Sequence, residues 1–198
     1  EKLRQKLQTL PTEGTRSAIH YAFGLHLNFD IAAPTSEYLL RVLRAFLICY
    51  PWLKQEGKID FTRRLLTFID PYPDEYVQFV LDPDYEPDRR RFFEDYAAFN
   101  PTRNRALDLL PLLQYLEPEA ASSLDERTRS LIQPRPAFHY RLPNCEIDNP
   151  DWSIAAEWNR WMAVERLASR PDQLAHEAGR CRSDPHHILA VKGPHATN

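Results

Sequence analysis

Two short rows of residues in this 198-residue chain are of the types that handle phosphate, carboxylate or metal. The first is His20, His26, Asn28 and Asp30, at even positions of Ile19–Ile31 (IHYAFGLHLNFDI). Imidazole ligates metals or exchanges a proton near neutral pH, a carboxylate binds hard cations, and an amide can hydrogen-bond groups of either charge. The second is His139 and Arg141, in Pro136–Pro143 (PAFHYRLP). Two basic groups lie between them, Arg63-Arg64 and Arg103-Asn104-Arg105. A guanidinium offers a planar fork to phosphate or carboxylate, so these are the side chains that would neutralise an anion.

Both rows need strands to work. The odd positions of the first stretch, Ile19, Tyr21, Phe23, Leu25, Leu27, Phe29 and Ile31, are apolar or aromatic. Alternate side chains of a strand leave on opposite faces, so one face can lie on helices while the other forms a polar floor beside Gly24. A merely solvated face would more usually carry Lys, Glu, Thr or Ser. Pro136–Pro143 repeats the pattern, with Phe138, Tyr140 and Leu142 on one side and His139 and Arg141 on the other.

Helices are expected over most of the rest. Glu1–Leu10 reads as a helix end, closed by Pro11 and Gly14. Thr35 or Ser36 caps a helix whose apolar stripe is Leu39, Val42, Leu43, Phe46 and Leu47, and which Pro51 bends or ends. Short helices follow at Asp74–Leu81 and Asp88–Phe99, around a DPDYEP corner (Asp82–Pro87). That corner's acids do not make a calcium loop, because prolines interrupt it and the EF-hand Gly and final Glu are missing.

Asn100-Pro101-Thr102 begins a helix over Thr102–Leu116, which puts Arg103, Asn104 and Arg105 in its first turn. Cations there oppose the helix dipole, a cost that a bound anion or pairing with Asp95 or Asp108 would offset. A polar, exposed helix is expected over Glu117–Gln133. Asn149-Pro150-Asp151 starts another, with Ile154, Trp158, Trp161 and Met162 facing inward. A short helix runs from Pro171 towards Arg182, and His186-His187 reads as exposed in a loose tail.

The composition narrows the function. A hydrophobic share of 43% and a charged share of 27% suit a soluble chain with a core, and a net charge of −3 gives no reason to expect nucleic acid as a partner. No apolar run spans a bilayer and no secretory leader is present, so no membrane partner and a cytoplasmic location are expected. Cys49, Cys145 and Cys181 lie too far apart for a disulfide framework or a zinc pattern. Proline (17) far exceeds glycine (5), which favours helices joined at X-Pro corners. Arginine greatly outnumbers lysine, which suits anion recognition, although a genomic base-composition bias has the same effect.

Three motifs in order carry a resemblance. Gly24-Leu25-His26-Leu27-Asn28 resembles the G-L/M-H-x-H strand of carboxylate–amine ligases with the glutamine synthetase and glutamate–cysteine ligase fold. Phe138-His139-Tyr140-Arg141-Leu142-Pro143, followed by Asn149-Pro150 and an apolar helix, is similar to their E-x-R-x-P strand and helix. Arg103-Asn104-Arg105-Ala106-Leu107-Asp108 stands where the Arg/Asn-rich R-x-x-L-N/D turn of the bacterial amidoligase family belongs. The resemblance covers roughly Ile19–Ser169.

It implies an α+β fold, helix-rich, with a curved antiparallel sheet whose outer face carries the helices. It also implies ATP and Mg2+ on the inner face, and amide formation from a carboxylate and an amine, small molecules or peptides, through an acyl phosphate. Arg141 and Arg105 take catalytic positions. Asn28, Arg103, Asn104, Arg63 and Arg64 fall to the nucleotide, and His26, His139 and Asp30 to the metal. Two departures are plain: Asn28 replaces the second histidine, and His139 replaces the glutamate of E-x-R.

The relatives' acidic first strand lies well upstream of the histidine strand, whereas only 18 residues precede Ile19 and Glu1 is not methionine. The expectation is therefore the C-terminal portion of a longer ligase, residues 1–182, with a flexible tail at 183–198. Two other readings stay open: a non-catalytic binding module descended from such a ligase, and a metal-dependent hydrolase using His20, His26, Asp30 and His139. Trp152 or Trp158 would serve a homo-oligomer interface.

Overall fold

The computed structural model describes residues 24–59, 69–147, 149–184 and 186–189, with 2, 5 and 6. His20, Arg63, Arg64 and residues 190–198 lie outside the described residues. In chain order the elements are β1 (Leu27–Asp30), α1 (Ser36–Glu56), α2 (Asp74–Val80), α3 (Arg89–Phe99), β2 (Leu107–Asp108) and α4 (Leu110–Leu116). A 3-10 turn (Ala120–Ser123), α5 (Glu126–Ser130), β3 (Ala137–Tyr140), α6 (Ile154–Ala168) and α7 (Pro171–Ser183) complete them. The fold is α+β and helix-rich, with one three-stranded antiparallel sheet in the order β1-β3-β2. The last strand in sequence is thus the central one. Among the described residues no helix is long and apolar enough to cross a membrane.

The helix α1 lies against the sheet's apolar face. Thr35 caps it, its Oγ1 accepting from the Tyr38 N–H at 3.3 Å. Pro51 sits inside α1 without ending it, and the helix runs on to Glu56. Leu39, Val42, Leu43, Ala45, Phe46 and Cys49 are fully buried. α6 packs along α1 and sends Trp161 to the centre of the core. The Trp161 indole stacks on Phe29 of β1 (centroids 4.4 Å apart, planes 6° apart) and meets Tyr140 and Phe138 of β3 at 5.3 and 5.9 Å. The alternation of apolar residues along both strands is what makes this layer continuous.

Four expectations are corrected. The stretch from Thr102 to Leu116 is not one helix: Asn100–Ala106 is irregular, β2 follows, and α4 begins only at Leu110. The backbone of the irregular stretch is spent on tertiary bonds, the Asp70 N–H donating to the Asn104 carbonyl (2.8 Å) and the Arg141 N–H to that of Ala106 (2.8 Å). Arg103, Asn104 and Arg105 therefore occupy no helix N-terminus. The polar helix over Glu117–Gln133 is instead the 3-10 turn and the short α5, which Asp125 caps through its side chain.

Asn149 does not cap α6. Its Oδ1 accepts from the Asp151 N–H in a local turn, and Ser153 is the cap, accepting from the Ala156 N–H. The buried stripe runs through Trp161, Val164 and Leu167, and Trp158 is 48% exposed. Trp152, by contrast, is buried within the chain, its Nε1–H donating to Glu157 Oε1 at 3.2 Å. Finally, His187 is not an idle tail residue: its Nε2 lies 3.0 Å from Glu177 Oε2 on α7, both side chains largely buried.

One arginine holds the DPDYEP corner. Arg44 of α1 donates from Nε to the Val80 carbonyl (2.8 Å) and from Nη2 to those of Asp82 (2.7 Å) and Tyr85 (2.8 Å). Asp82 is in turn paired with Arg182 of α7 at 2.7 Å. Replacing Arg44 by alanine strips three carbonyls of their donor and is expected to destabilise the fold by about 2–4 kcal/mol in urea unfolding. A loss below about 0.5 kcal/mol, the level of an ordinary surface substitution, would show that the clamp is dispensable. Burial pushes the Cys49 thiol up to about 12 and that of Cys181 up to about 11, so neither of these two is a nucleophile at neutral pH.

Candidate functional site

The strand register builds the site. Asn28 pairs with His139, and His139 pairs with Asp108 on the other side, giving one row across all three strands. The neighbouring row, Leu27, Tyr140 and Leu107, faces the core. A polar floor opposite an apolar layer thus follows from alternation along each strand and from antiparallel register across them.

His139 is the hub. Its Nδ1 lies 3.0 Å from Asn28 Oδ1, and since an amide oxygen only accepts, the ring proton sits on Nδ1. The His26 ring meets it edge to face, with centroids 5.1 Å apart and planes at 88°. Burial pushes the His139 imidazole down to about 3, and the charges of His26, Arg135, Arg141 and Arg103 add to the shift. His139 is therefore neutral across the physiological range, as an imidazole surrounded by cations must be.

Arg141 stands just beyond β3. The pairing of β1 and β3 resumes at Gly24 and Asn144, one residue out of register, so that three residues from Arg141 to Pro143 oppose two, Leu25 and His26. Such a bulge re-aims the side chain that follows the last regular pair. The Arg141 Nη1 reaches Asn104 Oδ1 at 3.5 Å, the outer limit of a hydrogen bond. Burial lowers the Arg141 pKa from its ordinary value, while the nearby Asp108 carboxylate opposes that shift. Arg103 also reaches this site through its charge, which acts on His139, Asp108 and Arg141 alike.

In the sequence Asp108 stood at the end of the Arg103–Asp108 motif and as a pairing partner for arginines, with no role in the site. It is 2% exposed, and its Oδ1 accepts from the Leu110 N–H at 3.0 Å. Burial pushes its carboxyl from an ordinary 3.8 up to about 7, against the pull of Arg141, Arg103 and Arg135. In the unfolded chain this carboxyl ionises near 3.8 and in the folded one near 7. Between those values only the unfolded chain releases the proton, so stability falls as pH rises from about 4 to about 7 and then levels off. The loss attributable to this one group between pH 5 and pH 8 is roughly 2–3 kcal/mol. Asp108→Asn should flatten that slope and gain more stability over the parent at pH 8 than at pH 5, measured by urea unfolding at both. Equal slopes in the two proteins would contradict the buried carboxyl.

Not every expected residue joins the floor. Arg105 turns to the other side, where its Nε donates to Asn100 Oδ1 (2.8 Å), its Nη1 to the Pro71 carbonyl, and its guanidinium lies over the Tyr72 ring. Asp30, paired with Ala137 two positions along β1 from Asn28, shares the Asn28 face and is exposed at the far end of the strand. Among the described residues no group of three or more His, Cys, Asp or Glu side chains is arranged to hold a metal ion. The donors at the hub are imidazoles and an amide, whereas Mg2+ prefers several hard oxygens, so the described residues do not fit that ion. They do fit an anion, with Arg103, Arg135 and Arg141 close to one row. The sequence reading missed Arg135; its signal was the flanking pair Pro134 and Pro136, which holds a lone arginine at the entry to β3.

No curated protein and no solved structure matches the chain. A family model described as "Putative amidoligase enzyme" matches residues 1–163, a span that takes in β1, the Arg103–Asp108 turn and β3 and ends within α6. The chain belongs to that amidoligase family.

Proposed function

We propose that this chain carries the nucleotide- and substrate-facing part of an ATP-dependent carboxylate–amine ligase, on a sheet that is part of a glutamine synthetase-like funnel. The observation that supports this most is the gathering of Arg103, Arg135 and Arg141 around the Asn28–His139–Asp108 row, within a family described as amidoligase enzymes. ATP, when bound, supplies the phosphoryl group that activates a carboxylate as an acyl phosphate. Arg141 and Arg103 would then hold phosphate oxygens and offset the charge that develops on transfer. Neutral His139, its proton held on Nδ1 by Asn28, leaves Nε2 as an acceptor for a substrate N–H or O–H. Asp108, when ionised, offsets part of the positive charge of the arginines.

The test is direct. The full chain is incubated with ATP, Mg2+, a panel of carboxylates (glutamate, short peptides and cell-wall fragments) and a panel of amines. Phosphate release that requires both partners, with the amide identified by mass spectrometry, is the expected result. No release and no ATP binding would overturn the proposal.

A second reading has a specific observation behind it. Asn28 and His139 stand where the resembling ligases keep histidine and glutamate, and a neutral His139 supplies no anionic oxygen. A non-catalytic module that binds a phosphorylated ligand would give saturable ATP binding without turnover in the same assay.

A further inference from the structure

Arg135 occupies an unusual position among the arginines of this chain. Several others on buried or half-buried ground have side-chain acceptors: Arg44 takes three carbonyls, Arg89 takes Glu117, Arg105 takes Asn100 and Pro71, Arg160 takes Glu157, and Arg41, whose Nε–H is also unmet, takes Glu37 through Nη1. Arg135 has none of these. Its Nε–H is shielded from solvent and meets no acceptor among the described residues. A buried guanidinium donor without an acceptor is costly, and such sites are found where a ligand completes them.

Its backbone is held as a fixed mount. Pro134 and Pro136 flank it, locking their own φ angles and restricting Arg135 to extended conformations. The Arg135 N–H donates to the Pro111 carbonyl in α4 at 3.1 Å, and the Pro136 carbonyl accepts from the Ile31 N–H just past β1, also at 3.1 Å. The segment is therefore tied to both sides of the sheet. Two residues before Ala137 and four before His139, Arg135 falls on the polar side of β3 by strand alternation, and its charge acts on both Asp108 and His139.

We propose that Arg135 is a further anion-binding residue of this site, its guanidinium holding a phosphate oxygen of the ligand alongside Arg141 and Arg103. The assignment rests on the reading of this site as a phosphoanion site. It lies outside all three motifs that carry the family resemblance, and it explains a buried donor that the fold itself leaves unsatisfied. A rigid Pro-Arg-Pro mount also means that little backbone freedom is lost when the anion binds.

The experiment is calorimetric titration of the full chain with inorganic pyrophosphate, and separately with a non-hydrolysable ATP analogue. The proteins compared are the parent, Arg135→Gln, Arg135→Lys and the surface control Arg166→Gln. Glutamine keeps much of the stem and an N–H donor while removing the charge. Arg135→Gln is expected to weaken pyrophosphate binding at least about tenfold, the loss of one charge-assisted hydrogen bond. Arg135→Lys should recover part of the affinity and Arg166→Gln should change nothing, with melting temperatures alike throughout. If the parent binds both ligands and Arg135→Gln binds them equally well, Arg135 is no binding residue and the phosphoanion reading stands. If Arg135→Gln melts early, the Lys variant decides: parent affinity keeps the proposal, and binding no better than that of the Gln variant overturns it. A parent that binds neither ligand at millimolar concentration overturns both the proposal and the reading beneath it.

Discussion

With Arg141 replaced by alanine, ATP-dependent phosphate release falls by about 10²–10³-fold while the protein remains folded, the loss expected when a preorganised donor to a developing anion is removed. The bulge after Tyr140 aims this side chain, its backbone N–H is anchored to the Ala106 carbonyl, and Asn104 touches its Nη1. Burial already disfavours its charge, so the guanidinium gains most when an anion replaces the lost water. Arg141→Lys keeps the charge and loses the fork, and only partial recovery is expected. The check is a comparison of kcat and KM in the phosphate-release assay, with circular dichroism to confirm the fold. Parent turnover in Arg141→Ala would remove Arg141 from the chemistry.

The largest effect on stability is expected at Trp161. Replacement by alanine should cost about 3–5 kcal/mol in urea unfolding, as for other buried aromatic truncations. The indole is 1% exposed, and it is the point where β1, β3, α1 and α6 meet, through Phe29, Tyr140, Phe138 and Phe46. Its Nε1–H donates to Glu165 Oε1 at 3.0 Å, so alanine also orphans a carboxylate oxygen. Because the sheet has only three short strands, loss of this contact should loosen the polar floor on its opposite face as well. Trp161→Phe should cost less, since it keeps the stacking on Phe29. A cost for Trp161→Ala below about 1 kcal/mol would place the core elsewhere.

Much of this was legible in the chain. Alternation along Ile19–Ile31 and Pro136–Pro143 assigned Asn28 and His139 to one face and Phe29, Phe138 and Tyr140 to the other, and the register puts them there. Period and composition suffice for such assignments, because a strand's geometry fixes which neighbours share a face. The cap Thr35 was likewise local, set by a side chain that bonds an N–H group within one turn.

The turn from Asn100 to Asp108 was not legible. Its residues tolerate a helix, and what prevents one is distant: Asp70 binding Asn104, Pro71 and Tyr72 engaging Arg105, and β3 pairing with β2. From the sequence alone, Arg103, Asn104 and Arg105 form a single basic cluster, yet the structure sends Arg105 into the protein and leaves Arg103 and Asn104 by Arg141. Which arginine is structural depends on where the acceptors lie, and a one-dimensional pattern does not carry that.

The amino-acid sequence by itself determined the two-faced strands, the types of side chain on their polar face and the family to which the chain belongs, because these depend on spacing and identity. Only the tertiary structure decided that β3 is central, that Asp108 completes the row with a carboxyl pushed up to about 7, and that Arg135, at the entry to β3, carries a buried donor unmet. Those outcomes depend on burial and on pairing between residues about 30 to 110 positions apart, and burial is what sets the cost of a charge.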